Sequence, residues 1–339
     1  MRIAIDAMGG EGGAESTVPA SIASLSECPN LELTLLGDES IIRPMLSSAP
    51  AESKSRLNLV HTKSVVSDFD KPSSVIRSGR SSSMFLAAEL VQQGRVEAMV
   101  SAGNTGALLV TGRHLLKTLP GIQKPALVAT IPGVSATSYL LDVGANPDCD
   151  AQQLFEFAVM GSVLAESLVG DTPRVGLLNI GAEQHKGTDE VQEAAALLKQ
   201  CDSINYVGFI EANSLFQGGA DVVVCDGFVG NVTIKSSAGV AGVVDELIAK
   251  PPLTGSAAWL GQYFVEKAMV NLRRQINPQR FNGASLLGLQ GSIVKSHGNA
   301  TSEGFGFAIK QAMLEVEHQI PQLIAKKVAA IMSDNNGPE

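Results

Sequence analysis

At 339 residues, with 45% hydrophobic residues and 34 glycines, the chain can bury one large core or two subdomains sharing a cleft, as a soluble α/β enzyme would. Aromatic residues at 4% are too sparse for base-stacking platforms, and a net charge of −9 removes the whole-surface attraction that nucleic acid requires. The four cysteines, Cys28, Cys149, Cys201 and Cys225, lack CxxC or Cys/His spacing, which argues against a disulfide framework or metal site and fits a reducing compartment.

The first residues run directly into an apolar strand pattern without a signal-peptide profile, and no apolar stretch approaches membrane-spanning length, so a cytoplasmic location is expected. In chain order, β-rich apolar runs predict strands over Arg2–Asp6, Leu31–Gly37, Leu57–His61, Val96–Ser101, Ala126–Ile131, Tyr139–Val143, Val175–Ile180, Tyr206–Ile210 and Val222–Asp226. Helical periodicity fills many of the gaps, over Ser83–Gln93, Cys149–Val169, Val191–Gln200 and Gly304–Met332. A further apolar strand, around Ile293 and Val294, leads into Lys295. The alternation predicts a doubly wound, mostly parallel sheet covered on both faces. Residues 1–332 read as a single α/β catalytic unit, with Asp148–Asp150 the weakest boundary candidate between subdomains, and 333–339 as a disordered tail.

Residues 250–280 depart from this pattern. Pro251-Pro252 precede Trp259, the sole tryptophan, and Leu260, Phe264, Leu272 and Ile276 recur at multiples of four, as a protruding amphipathic helix requires. Lys250, Lys267, Arg273, Arg274 and Arg280 against Glu266 give this stretch a net charge of +4. Such a stretch suits an anionic membrane or an acidic protein, and equally a core or dimer helix with a solvated basic face.

Five glycine-broken strand ends recur: Asp6-Ala7-Met8-Gly9-Gly10, Ser101-Ala102-Gly103-Asn104-Thr105-Gly106, Asp142-Val143-Gly144-Ala145-Asn146, Asn179-Ile180-Gly181 and Asp226-Gly227-Phe228-Val229-Gly230-Asn231. Glycine admits close backbone approach, and free N–H groups at a helix start attract anions. All five are expected at strand carboxyl ends, around one anion-binding cleft, with phosphate the natural guest. Any α/β protein needs tight turns, so it is the group of five, not one of them, that carries this expectation.

The strings IDAMGG, VSAGNTGALL, LLDVGAN-DC, GLLNIG, VVVCDGFVGNVTIK, GASLLGLQG and IVKSHG, in this order, resemble the bacterial phosphate acyltransferases, which form acyl phosphate from acyl-acyl-carrier protein in phospholipid synthesis. The resemblance implies a fold like phosphotransacetylase and the isocitrate/isopropylmalate dehydrogenases. It also implies a cytoplasmic homodimer that associates peripherally with the membrane, the Pro251–Val265 segment lying where the family's apolar tip should be. Acyl-acyl-carrier protein, inorganic phosphate, an anionic membrane surface and the downstream glycerol-3-phosphate acyltransferase are the implied partners, with no metal and no cofactor. Two departures leave side chains without a role: Glu11 after Gly10, and Asn299–Glu303 after Gly298.

The implied chemistry is attack of phosphate on a thioester carbonyl, which needs phosphate held, the oxyanion stabilised and the thiolate released. For phosphate and substrate the candidates are Asp6, Gly9 and Gly10, the Gly103–Gly106 turn with Asn104 and Thr105, and Arg77 or Arg80 ahead of the serine-rich helix start at Ser82 and Ser83. Lys295 fits the oxyanion or phosphate, and His297 fits a proton donor to the thiolate or a phosphate ligand. Asp226, Asn231 and Lys235 form a second catalytic set, the last two sharing a helix face. Asp142 and Asn146 are candidates that equally fit Asx-type loop ordering, and Asn179 and Lys186 are similarly two-sided. Trp259, Leu260, Phe264, Lys267, Arg273 and Arg274 are the candidate membrane or carrier contacts. With no GxSxG elbow, and with Cys225 ending a buried-looking strand, direct displacement without an acyl-enzyme is expected. Competing readings are a coenzyme A-dependent short-chain phosphotransacetylase, a metal- and NAD-dependent decarboxylating dehydrogenase of related fold, and a non-catalytic scaffold binding the carrier at the membrane.

Overall fold

The computed structural model describes residues 1–133, 136–249 and 278–334. Its strands are β1 (Arg2–Asp6), β2 (Glu32–Gly37), β3 (Leu57–His61), β4 (Ala98–Ser101), β5 (Ala126–Ile131), β6 (Ser138–Leu141), β7 (Arg174–Leu178), β8 (Asn205–Ile210), β9 (Val222–Val224), β10 (Ala284–Leu287) and β11 (Ser292–Lys295). They form one 11-stranded sheet in the order β3-β2-β1-β4-β11-β10-β5-β6-β9-β7-β8. The expected strands are all present, β1, β3 and β5 with the expected bounds and the others with ends shifted by one or two residues. β10 lies in the GASLLGLQG string, where no strand was expected.

Alternation along the strands decides which helices cover which face. Ile3 and Ile5 point into a core with Phe305 and Ile309, whereas Ala4 points the other way, toward Met84 and Ala87. A third core joins Tyr139, Leu141 and Val224 to Phe157 and Leu164 of the Ala151–Val169 helix. That helix opens on a capping box between Asp150 and Gln153 and ends on Gly170 in the left-handed conformation, so local chemistry sets both its ends.

The predicted Gly304–Met332 helix is two helices, Ser302–Glu317 and Ile320–Asp334. Gln319 takes a left-handed φ of 51°, and Pro321, which cannot donate to a preceding turn, sits in the first turn of the second helix. The second helix continues through Asp334, two residues into the expected tail, and residues 335–339 lie outside the described ones. The 250–280 segment likewise lies outside them, except for a short 3-10 turn over Pro278–Phe281.

Strand direction corrects the picture of five turns around one sheet edge. β1 to β4 and β11 run parallel, but β10 is antiparallel to β11 and to β5, and β5 is antiparallel to β6. β9, β7 and β8 then follow β6. The turns after Asp6 and Ser101 therefore stand at one edge of the sheet. Those after Leu141, Leu178 and Val224 stand at the opposite edge.

Candidate active site

Pairing register builds the first edge. Asp6 is opposite Ser101, and Ser101 is opposite Lys295, so three polar side chains from neighbouring strands end in line on one face. Their loops are tied together: Glu11 N–H donates to Gly298 O at 2.7 Å, and Ser296 N–H to Ser101 O at 2.8 Å. Lys295 Nζ donates to Ala102 O at 3.2 Å and also to Ser296 O. Gly9 is required here because a Cβ would stand 2.6 Å from Asp6 Oδ2 and 2.8 Å from the Gly103 nitrogen. Asp6 Oδ2 accepts from Ser101 Oγ at 2.6 Å, while Oδ1 and the Ser83 hydroxyl are buried without standard hydrogen-bond partners. Burial pushes the Asp6 pKa up, opposed by the neighbouring Ser101 and Ser83 hydroxyls.

Dehydration of the half-buried Lys295 pulls its pKa down to about 8, opposed by the carboxylates of Asp68 and Asp6. His297 is open to solvent, yet partial loss of hydration lowers its pKa, helped by Lys295 and then Lys235. The electrostatic coupling to Lys235 links the two edges. The helix over Gly227–Ala249 starts at the opposite edge and carries Lys235, eight residues in, toward His297. A buried asparagine holds the histidine loop: Asn282 Oδ1 accepts from His297 N–H at 2.8 Å, and its Nδ2 donates to Ser296 Oγ and Gly304 O. Lys295 and Lys235, both expected from sequence, therefore each lie within electrostatic reach of His297, the third basic candidate. Asp68 and Asn282 carry no local signal that sets them apart from ordinary loop and turn residues, and Ser101 is legible only as the first residue of its glycine turn.

Other candidates on this edge have structural duties. Asn104 caps the Thr105–Leu115 helix through Ala107 N–H, and its Nδ2 donates to Asp68 O at 3.0 Å, fixing the loop that carries the Asp68 carboxylate. Ser82 caps the Ser83–Gln92 helix through Phe85 N–H. A Cβ on Gly106 would meet Pro72 Cγ at 2.6 Å, so that glycine permits close packing of the Asp68 loop. Thr105 is exposed at its helix start. Arg77 and Arg80 lie on the exposed stretch before Ser82, where Arg80 Nε donates to Ile76 O at 2.7 Å.

The opposite edge is mostly scaffolding. Asp142 is fully buried and accepts from Leu127, Ala145 and Asn146 N–H groups and from Asn146 Nδ2, between 2.6 and 3.1 Å. Burial nonetheless raises its pKa, opposed by these donors. Asp142→Ala is expected to destabilise the fold by at least about 3 kcal/mol, because several buried donors lose their acceptor together. The urea midpoint would test this; a wild-type midpoint would reject the scaffold assignment. Asp226 accepts from Val229 N–H at 2.8 Å, capping its helix, and Asn231 packs against Gly144. Asn179 orders its own loop by accepting from Ile180 N–H and donating to Lys186 O, and Lys186 stands 3.9 Å from Glu183. Trp259, Leu260, Phe264, Lys267, Arg273 and Arg274 lie outside the described residues.

The family model described as "Fatty acid synthesis protein" matches residues 1–323. The chain belongs to this family. Among curated relatives, a phosphate acyltransferase of Pseudomonas putida is 49% identical over 320 residues, covering 94% of this chain and 95% of that protein. One of Vibrio campbellii is 44% identical and one of Shewanella pealeana 45%, covering 98% and 99% of both partners respectively. Among solved structures, a phosphotransacetylase from Streptococcus pyogenes superposes with a TM-score of 0.61 at 17% identity, covering 95% of this chain and 94% of that one. The EutD phosphotransacetylase from Staphylococcus aureus gives 0.58 at 16%, covering 96% and 94%. These likenesses bear out the expected phosphotransacetylase-related α/β fold, and family membership bears out the sequence resemblance.

Proposed function

We propose that this chain is a phosphate acyltransferase that moves a fatty acyl group reversibly from acyl-acyl-carrier-protein thioester to inorganic phosphate, giving acyl phosphate for glycerol-3-phosphate acylation. The observation that carries the chemistry is the approach of Lys235, on the Gly227–Ala249 helix, to His297 and Lys295 at the end of β11. The full-length likeness to proteins named phosphate acyltransferase supports the substrate class. Hydrogen phosphate is held by Lys235 and His297, and one of its oxygens attacks the thioester carbonyl carbon. Lys295 meets the oxygen that becomes negative in the tetrahedral transition state. The C–S bond breaks as the new C–O bond is completed, and the phosphate proton passes through His297 to the thiolate. A neutral imidazole suits this relay because it accepts at one nitrogen and donates at the other, and the lowered pKa of His297 keeps it neutral at pH 7.

Direct displacement is favoured over an acyl-cysteine. Cys225 is buried, its Sγ lies 3.5 Å from Asp142 O, and burial with the charges of Asp226 and Asp142 raises its pKa well above the ordinary thiol value. The partners proposed with this reaction are the acidic carrier protein, an anionic membrane touched peripherally from the cytoplasm, a second copy of the chain and the acyltransferase that consumes the product. Val229, Val232, Val240 and Val243 are exposed on one face of the Gly227–Ala249 helix, which supports a homodimer testable by sedimentation. Among the described residues no helix is long and apolar enough to cross a membrane. Vesicle flotation of a Trp259/Leu260/Phe264 polar variant tests peripheral contact, and unchanged flotation rejects it.

The primary experiment mixes the protein with palmitoyl-acyl-carrier protein and follows thiol release with and without phosphate. Phosphate-dependent release with a hydroxylamine-reactive product is expected, and Lys235→Ala should raise the KM for phosphate at least about tenfold, as loss of a charged contact would. Release independent of phosphate would indicate a thioesterase. No release from this donor, but turnover of acyl-coenzyme A, would indicate the short-chain transacetylase.

A further inference from the structure

We infer that Asn282 is a positioning residue for the acyl transfer, fixing through the Ser296–His297 peptide where the imidazole stands relative to the Lys295 ammonium; this deepens the reading above and rests on it. One peptide unit joins the two basic groups. Its carbonyl oxygen, on Ser296, accepts from Lys295 Nζ, and its N–H, on His297, donates to Asn282 Oδ1 at 2.8 Å. Asn282 Nδ2 also donates to Ser296 Oγ at 2.8 Å and, in the first turn of the Ser302–Glu317 helix, to Gly304 O at 2.9 Å. A backbone N–H that must meet oxygen and a backbone carbonyl that must meet NH2 leave the side-chain amide one orientation.

Asn282 can hold the peptide because it is itself held. It is buried, its N–H donates to Gln279 O at 3.3 Å, and the turn before it packs so closely on the helix that a Cβ on Gly304 would stand 1.8 Å from Gln279 Oε1. Immediately after it Gly283 takes a φ of 113°, and a Cβ there would stand 2.9 Å from Ala308 Cα. The chain on both sides of Asn282 is thus pressed against one helix, which is the support a precise site requires. The His297 ring, in contrast, is open to solvent and has no hydrogen bond among the described residues. Its place is therefore set by its backbone, and the N–H side of that backbone by Asn282. An asparagine that only braced the turn would be equally buried and bonded, and kinetics tells the two apart.

Asn282→Leu fills the volume without an acceptor and should lower kcat for phosphate-dependent thiol release at least about tenfold, as misplacement of a reacting group does. Asn282→Asp keeps an acceptor for His297 N–H and should recover kcat to within about threefold of wild type at a pH where the imidazole is neutral. In His297→Ala protein no imidazole remains to be placed, so Asn282→Leu should there cost less than about threefold. Equal cost in the two backgrounds overturns the assignment, and so does a folded Asn282→Asp variant as slow as Asn282→Leu or, should the latter not fold, slower than wild type by about tenfold. The imidazole Cε1–H resonance gives a readout independent of turnover. Dehydration, Lys295 and Lys235 hold the His297 pKa below 6.5, and in Asn282→Leu the released loop gains water, so the titration should move up toward that value. An unmoved titration also overturns the assignment. Absence of phosphate-dependent thiol release in wild type overturns the parent acyl-transfer reading instead, while the titration still reports whether Asn282 places the ring.

Discussion

Replacing Lys295 by methionine is expected to lower phosphate-dependent thiol release by two to three orders of magnitude, the usual cost of deleting one oxyanion donor, about 3 kcal/mol or more. The fold should survive. A lysine whose folded pKa is depressed from 10.5 to about 8 destabilises the folded state fully below pH 8, and this cost is relieved as pH rises through 10.5. Methionine removes the cost and fills much of the volume, so at pH 7 the variant should be at least as stable as wild type. The same shift predicts a pH limb. If the ammonium form acts on the oxyanion, wild-type activity falls as pH rises past about 8. Asp68 opposes the depression, so Asp68→Asn should move that limb to lower pH without removing the lysine. Wild-type turnover in Lys295→Met would take the lysine out of the chemistry, and an unmoved limb would sever Asp68 from it.

Replacing Glu315 by glutamine should stabilise the protein at and above neutral pH. Glu315 lies on the Ser302–Glu317 helix, 2% exposed, with Oε1 lacking a partner, above Ser285 of β10 and Ser292 of β11. Burial raises its pKa from 4.5 to about 7, against hydrogen bonding from Ser285, Ser292 and Gln311. A carboxyl held more strongly protonated when folded contributes fully below pH 4.5, and that contribution disappears as pH climbs through about 7. Glutamine keeps the shape and cannot ionise. The two proteins should have similar melting points near pH 4, with the variant higher by several degrees at pH 8, reflecting up to about 3 kcal/mol. Parallel melting curves across that range would show that the carboxyl is neutral or well compensated throughout.

The two predictions rest on residues of different legibility. Lys295 is visible in sequence because it follows a short apolar run and precedes a histidine and a glycine. Glu315 is not, because a glutamate in a helical pattern ordinarily faces water, and only the packing of its helix on the β10–β11 pair puts it inside. Asp6 and Asp142 show the same limit. Both are aspartates at a strand end ahead of glycine, yet Asp142 accepts four hydrogen bonds as an internal brace, whereas Asp6 keeps an unpartnered oxygen beside Ser101, within electrostatic reach of Lys295.

From the chain alone came the α/β class, most of the strands, the helix start at Ser83, the family resemblance and the basic residues of the candidate site. These follow from local chemistry: side-chain periodicity, capping and the freedom of glycine, as where Gly10, at φ 80°, leaves no room for a Cβ against Gly298 O. Tertiary structure decided that the glycine turns divide between opposite sheet edges and that Lys235, on a helix started at the far edge, comes within electrostatic range of His297. Each depends on the reversals at β10 and β6, and strand direction is set by long-range pairing, which leaves no mark on the residues of a single strand.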